Sequence, residues 1–251
     1  MANNNVPPIQ IMTLNVGGPG AAQEKRDHIR DRFQTRLRQC SVIFVQECNG
    51  RDRDNLMQIL GQDYQISPDN GNSDVAIIWQ RNMFRHVGVV DDVNIMYEIN
   101  GNRLFRQMIH QDYFPNNQNN RVKVIRATLE PTGRVVFFAS WHGPHNGFTN
   151  EHKADTARDL IRLMRNISGI QPFIVGGDFN LQADDEFPAV ENRVEVRHIP
   201  YPYQTYRTMP NIDYFVLGNR GVFDVRGVTR LVRGNREILD HKPVQATFEM
   251  V

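Results

Sequence analysis

Along most of this chain, apolar residues come in short runs closed by glycine, proline, asparagine or aspartate. Ile9–Val16 (IQIMTLNV) alternates as a core strand does, and similar runs predict strands over Ser41–Gln46, Tyr64–Ser67, Asp74–Trp79, Phe84–Val90 and Arg103–Phe114. Val122–Leu129, Arg134–Trp141, Phe173–Val175, Val194–Ile199, Ile212–Leu217, Val222–Leu231 and Lys242–Met250 continue the series. Few stretches carry a helical period. Ala21–Arg38 places Ile29, Phe33 and Leu37 at spacings of four, and Asn150–Asn166 gathers Ala154, Ala157, Leu160, Ile161 and Met164 on one face. A shorter helix is expected from about Arg53 to Gly61. Many strands in succession with few helices predict two sheets packed face to face, helices outside, in mixed α/β pairing.

One stretch, Gln171–Gln182 (QPFIVGGDFNLQ), organises the rest. An apolar run closed by glycines reads as a buried strand opening into a loop. In extended chain, residues two apart share a face, so the Asp178 carboxylate and the Asn180 amide can meet at one spot. Gly176 and Gly177 leave room for another backbone or for a ligand phosphate. The pair suits holding a metal or an attacking water; an Asx turn after a strand is the plainer reading.

The same placement recurs. Asn15, Glu47, His142, Asp213, Asp240 and His241 each stand at the end of an apolar strand or just past it. Strand ends in a layered fold can converge at one edge, which would gather carboxylates, carboxamides and imidazoles into one cleft. Oxygen donors with few thiols suit Mg²⁺ or Mn²⁺ rather than zinc. A zinc site of His142, His145 and His152 is the rival. Otherwise His145 and Asn146 line the substrate cleft.

Composition narrows the picture further. A chain of 251 residues with no internal repeat and no dividing linker is read as a single domain over 1–251, large enough for a substantial core. A net charge of +1 advertises no general affinity for nucleic acid. The basic residues are nevertheless 25 arginines against 4 lysines, and arginine's planar fork favours phosphate and carboxylate. Helix 21–38 carries Arg26, Arg30, Arg32, Arg36 and Arg38, read as a solvated face; Arg226, Arg230, Arg233 and Arg236 form either a solvated hairpin or a grip on a phosphate backbone. Cys40 and Cys48 flank a strand, and eight extended steps separate them by roughly 26 Å, so no disulfide joins them. The N-terminus has no charged-then-apolar signal and no run reaches membrane-spanning length, so a soluble protein is expected, intracellular or secreted with its leader absent. Asn166-Ile167-Ser168 is a glycosylation sequon, of consequence only outside the cell.

Taken in order, MTLNV with Asn15, FVQE with Glu47, SWHGPHN with His142, GGDFN, Ile212-Asp213-Tyr214 and LDHKPV with Asp240-His241 resemble the successive motifs of the endonuclease/exonuclease/phosphatase superfamily. They run from about residue 9 to 249. The opening and the length are most similar to the cytolethal distending toxin catalytic subunit, and GGDFNL also resembles tyrosyl-DNA phosphodiesterases. The resemblance implies a DNase I-like, four-layered α/β/β/α sandwich and metal-dependent cleavage of a phosphoester. It implies Glu47, Asn15 and Asp240 in the sphere of Mg²⁺, with Mn²⁺ or Ca²⁺ as alternatives. Asp178 would orient or deprotonate the attacking water, and Asn180 would hold Asp178 and the phosphate. His241, its ring set by Asp213, would contact the phosphate; His142 would be a second phosphate contact and the acid to the leaving oxygen. Arg121 matches a phosphate-binding arginine of the toxin-like branch, and Asp74 aligns as a partner of His142.

The expected activity is hydrolysis of DNA with little sequence preference. The alternatives are a phosphatase or end-processing phosphodiesterase on phosphoinositides or protein–DNA adducts, and a catalytically dead binding module. A monomer is expected in isolation, with DNA as partner and delivery or regulatory subunits implied only by the toxin resemblance.

Overall fold

The computed structural model describes residues 8–18, 20–69, 73–90, 121–130, 132–145, 148–183, 194–197, 211–218, 223–231 and 238–250. Their strands form two six-stranded mixed sheets. The first takes the order β11 (Phe223–Arg230), β12 (Val244–Met250), β1 (Ile9–Asn15), β2 (Val42–Gln46), β4 (Val75–Gln80), β3 (Tyr64–Ile66). The second takes β5 (Phe84–Val89), β6 (Val122–Leu129), β7 (Val135–His142), β8 (Phe173–Asp178), β10 (Asp213–Gly218), β9 (Val194–Arg197). Helices α1 (Ala22–Leu37), α2 (Gly50–Leu60) and α3 (Asn150–Ser168) complete the expected four layers. The expected strand over 103–114 lies outside the described residues. No helix among the described residues is long and apolar enough to cross a membrane.

The two-residue period of the strands sorts the core into three clusters. Ile9 and Ile11 of β1, Val42 and Phe44 of β2, Phe138 of β7, Ile174 of β8 and Phe215 of β10 meet between the sheets. The residues that alternate with them face the helices. Met12, Leu14, Ile43 and Val45 pack under Ile29, Phe33 and Leu37 of α1 and Leu56, Ile59 and Leu60 of α2. Phe137, Ala139, Val175 and Val216 pack under Leu160, Ile161 and Met164 of α3. Each fully buried side chain of this kind contributes about 1.5–3 kcal/mol. The helices start where the sequence supplies acceptors. Asn49 caps α2 by accepting from Arg51 N and Asp52 N, Thr149 caps α3 by accepting from His152 N, and Glu24 accepts from Ala21 N ahead of α1.

The topology brings one end of each of eight strands to a single edge. The two parallel pairs, β1 with β2 and β7 with β8, arrive by their C-termini. The strands antiparallel to them, β12, β4, β6 and β10, start there. The inter-sheet face therefore begins apolar at Ile9 and Ile11 and ends polar at Thr13 and Asn15. At that transition Thr13 Oγ1 donates to Gln46 Oε1 (3.0 Å), Gln46 Nε2 donates to Ser140 Oγ (3.1 Å), and Ser140 Oγ donates to Val45 O (3.0 Å), tying one sheet to the other beneath the edge.

The glycine pair of β8 serves packing. A Cβ on Gly176 would lie 2.2 Å from the Phe44 ring, and one on Gly177 would lie 1.9 Å from Trp141 O. Of the two uses the sequence left open, close approach of a neighbouring strand and a ring decides the matter, and no phosphate is needed to account for either glycine.

Cys40 and Cys48 are free, as expected, and both are buried. Burial pushes the Cys40 thiol up to about 12 and raises that of Cys48 as well. Thiolate is the reactive form. Native protein is expected to resist the thiol reagent DTNB over minutes at pH 8, with both thiols reacting once guanidinium unfolds the chain. Prompt labelling of the native protein would contradict this packing.

Candidate active site

Asp178, at the end of β8, is almost fully buried and is the centre of the polar edge. Strand register sets its neighbours: His142 of β7 lies opposite it on one side and Asp213 of β10 on the other. The residue after it, Phe179, points the other way and stacks on Tyr214 with centroids 4.1 Å apart and planes 7° from parallel. That anchor lets the chain turn back. Asn180 adopts a left-handed φ of 51°, and its backbone N–H donates to Asp178 Oδ1 (2.8 Å) while its side-chain Nδ2 donates to Gly143 O (3.1 Å). Asn180 thus holds Asp178 through its backbone, the Asx turn, and its amide is spent on the loop after β7.

From the other sheet, Asn15 Nδ2 donates to Asp178 Oδ2 and to Glu47 Oε1, both at 3.1 Å, and Asn15 Oδ1 accepts from Gly17 N (2.7 Å). Asn15 therefore presents its nitrogen to the two carboxylates. Glu47 follows β2 with φ at 52°, a conformation that costs a non-glycine residue about 1 kcal/mol or more. Its carboxylate lies over Gly17, where a Cβ would come within 2.2 Å of Oε2. Gly17 is the seat for Glu47, a role its neighbours in sequence do not reveal.

The two histidines approach Asp178 from opposite sheets. His241 Nε2 is 3.6 Å from Asp178 Oδ2, and its Nδ1 is 2.9 Å from Asp213 Oδ2. His142 Nε2 is 3.8 Å from Asp178 Oδ2 and 3.9 Å from Glu47 Oε1, while its Nδ1 is 2.5 Å from Asp74 Oδ2. Each carboxylate behind a ring nitrogen fixes which face the other nitrogen presents. Asp74 is held in its turn. Cys48 N donates to Asp74 O, and buried Arg53 donates to Ser67 O and Val75 O on either side of the loop. Sequence reading missed Arg53 because it sits on α2 among other charges.

The remaining expected residues are also near. Asp240 follows the same edge as His241, and its Oδ1 is buried without a hydrogen bond. Arg121 opens β6; its Nη1 donates to Gly143 O (2.6 Å) and His142 O (3.3 Å), so part of the guanidinium secures the loop after β7. Among the described residues, the group whose ligand atoms come together is Glu47, Asp178 and His241, all within 4.8 Å of one another. The three-histidine set of His142, His145 and His152 forms no such group among the described residues, and His152 sits in α3 beside Phe148. Asn146, Arg233 and Arg236 lie outside the described residues, as does the side chain of Arg226.

A family model for the endonuclease/exonuclease/phosphatase family matches residues 12–234. The chain belongs to that family. Members of the endonuclease/exonuclease/phosphatase family are hydrolases: nucleases, phosphodiesterases and phosphatases. A family member from Bacteroides vulgatus superposes with a TM-score of 0.69 at 14% identity, covering 98% of this chain and 100% of that one. Mannosyl-6-phosphatase Bt3783 of Bacteroides thetaiotaomicron gives 0.63 at 15% identity, covering 97% and 99%. D. rerio TDP2, in complex with a single-strand DNA product, gives 0.62 at 14%, covering 96% and 99%. At these identities the likeness is one of fold. No curated protein matches the sequence significantly.

The electrostatics of this family member's site follow from burial. Burial first, then the Asp213 charge, raises the Asp178 pKa against the opposing pull of His241 and His142. Burial alone would lower that of His241, but the charges of Asp213 and Asp178 outweigh it and hold the imidazole up at about 10. Burial likewise works to raise Asp74, and is overcome by the His142 hydrogen bond and the charges of His142 and Arg121, so its pKa is lowered. A buried, net-negative cluster of this kind gains by taking up positive charge, whether protons or a cation.

Since the folded His241 pKa lies above its unfolded value of about 6.5, the charged ring's stabilisation is full below pH ~6.5. It is lost as pH rises through about 10. In metal-free protein, NMR is expected to find His241 still protonated at pH 8, and Asp213→Asn to lower its midpoint by one unit or more, roughly, because the largest favourable charge is gone. A neutral His241 at pH 7 in the unsubstituted protein would refute this balance.

Proposed function

We propose that this chain is a divalent-cation-dependent phosphodiesterase that hydrolyses DNA with little sequence preference, working as one catalytic domain. The observation that carries the reading is the convergence of Glu47, Asp178 and His241, with ligand atoms within 4.8 Å, beside His142 Nε2 at 3.8 Å from Asp178.

The residues present fit a hard cation. Glu47 and Asp240 supply carboxylate oxygens, Asp240 Oδ1 is buried with no hydrogen bond, and Gly17 leaves the space that Glu47 fills. Mg²⁺ is the first choice, with Mn²⁺ as the alternative. When bound, the cation supplies positive charge beside the phosphate oxygens. Asn15 steadies Glu47 and Asp178 from its nitrogen rather than serving as an oxygen ligand.

Asp178, aligned by Asn15 Nδ2 and the Asn180 backbone, orients an attacking water and takes its proton, a task that its raised pKa favours. His241, kept charged by Asp213, donates from Nε2 to a non-bridging phosphate oxygen and stabilises the charge that accumulates there. His142, with Nδ1 engaged by Asp74, donates from Nε2 to the departing oxygen. Arg121 and Asn180 act on the phosphate through the Gly143 loop that both hold. In-line displacement puts the water and the leaving oxygen on opposite sides of phosphorus, so these roles require the phosphate to bind with its attacked face toward Asp178 and its leaving oxygen toward His142.

A second reading keeps this chemistry and changes the substrate to a phosphomonoester or a protein–DNA adduct. What favours it is the charge. The chain is only +1 overall, and Arg30, on the basic helix α1, is paired with Asp27 and Asp31.

Supercoiled plasmid tests the first reading. Wild type should nick it with Mg²⁺ and stop with EDTA. His142→Ala and His241→Ala should each lose about 10²–10⁴ in rate, the usual worth of a positioned acid or charge donor. Histidine variants as fast as wild type would overturn the assigned roles. Turnover of 5′-tyrosyl DNA or sugar and inositol phosphates with plasmid left intact would favour the second reading.

A further inference from the structure

The side of the first sheet that packs under α1 and α2 turns polar at one end. Met12 and Leu14 of β1 lie beneath the helices, whereas Gln10, on the same face, lies where α1 has ended and Ser41 N donates to Gln10 O. Register extends the polar patch across two more strands. Gln10 pairs with Thr247 of β12 and Thr247 with Gly227 of β11, while Gln245 pairs with Thr229. These five residues and Arg36, in the last turn of α1, line a cavity of about 270 Å³. At about 30 Å³ for each water, it has room for roughly nine. Gln10 is five residues back from Asn15 on the opposite face of the sheet, roughly 16 Å along the strand, so the cavity stands apart from the carboxylate cluster.

Three features distinguish this cavity from a solvated strand face. Gln245 is only 7% exposed, and its Nε2 donates to Gln10 Oε1 (3.0 Å); among the described residues nothing else meets Gln245 Oε1 or Gln10 Nε2, one acceptor and one donor. β11 bulges between Val225 and Gly227, and a Cβ on Gly227 would meet nothing within 4 Å, so the glycine keeps the space open. Arg36 makes no ion pair among the described residues, its one hydrogen bond being a long contact with Gln39 Oε1 (3.5 Å), whereas Arg30 on the same helix is paired with Asp27 and Asp31. A guanidinium without a counter-charge matches an oxyanion. Amides and threonine hydroxyls match the hydroxyl groups of a ligand, and no aromatic or aliphatic side chain lines the cavity to favour an apolar one. We propose that this cavity binds a small, hydroxyl-bearing oxyanion, with Arg36 on its phosphate or carboxylate and the Gln10–Gln245 pair on its hydroxyls. The site is independent of the phosphoesterase reading, and its size excludes a nucleic acid or a peptide.

NMR of the metal-free protein in chloride buffer tests it, following the side-chain amides of Gln10 and Gln245 as glycerol 3-phosphate, glycerate or glycerol is added. Both signals should move with at least one of the two anions, with a Kd of about 1 mM or tighter, the scale of a ligand of about ten non-hydrogen atoms. Glycerol, which has no charge, should move neither at the same concentration. Arg36→Gln should raise Kd about tenfold or more, the worth of one charge-assisted hydrogen bond. Gly227→Leu, which fills the cavity without striking any neighbour, should abolish the shifts while leaving the backbone amide spectrum of the other strands in place. Shifts with glycerol 3-phosphate alone assign the site to phosphates, shifts with glycerate alone to carboxylates, and shifts with both to either group. The site is overturned if neither anion moves the two amides at about twenty times the expected Kd, if glycerol moves them equally, or if either variant binds as wild type does.

Discussion

A carboxylate almost without water, Asp178, is the constraint on which the rest of this molecule depends. A buried charge is tolerated only where other groups meet it. Here those groups come from both sheets: Asn15 Nδ2 from β1, the Asn180 backbone from the turn after β8, and two imidazoles at 3.6 and 3.8 Å. Each partner needs its own support. Asp213 stands behind His241, Asp74 behind His142, and Gly17 under Glu47. Taking away any of these would strand a charge rather than merely a contact.

The layered fold makes such a cluster affordable to build because one geometric rule does most of the assembly. Residues on the inter-sheet face recur every second position, so the face that holds Ile9 and Ile11 must also hold Thr13 and Asn15. The apolar members drive the sheets together, and the last members of the same rows are carried to the rim. The Thr13–Gln46–Ser140 chain marks the boundary, a fully hydrogen-bonded polar layer between dry core and reactive edge. Polar satisfaction at that level ties one sheet to the other, while strand register within the second sheet aligns His142, Asp178 and Asp213 in a row.

Much of this was legible before any coordinates. Element type followed from period, and α1, β6 and β11 came within a residue or two of their expected bounds. α2 begins earlier, at Gly50, because Asn49 caps it, a signal that the apolar spacing alone passes over. Asn180 was expected to bring its amide to Asp178; its left-handed backbone brings the N–H instead and frees the amide for Gly143. The glycine pair of β8 invited a phosphate, whereas Phe44 and the Trp141 backbone occupy that space. Local pattern shows that a position is special. It does not show which neighbour makes it so.

The sequence by itself determined the order of the elements, which residues face the core, and that acidic, amide and imidazole groups stand at strand ends. These are properties of neighbours along the chain, set by periodicity and turn chemistry. Tertiary structure alone decided which of those ends meet, since pairing brings Asp178 beside Asp213, and Asn15 beside Glu47, across long stretches of chain. It also decided the direction of each hydrogen bond and the proton affinities of Asp178 and His241. Desolvation and charge act through space, so no reading of neighbours in sequence could supply them.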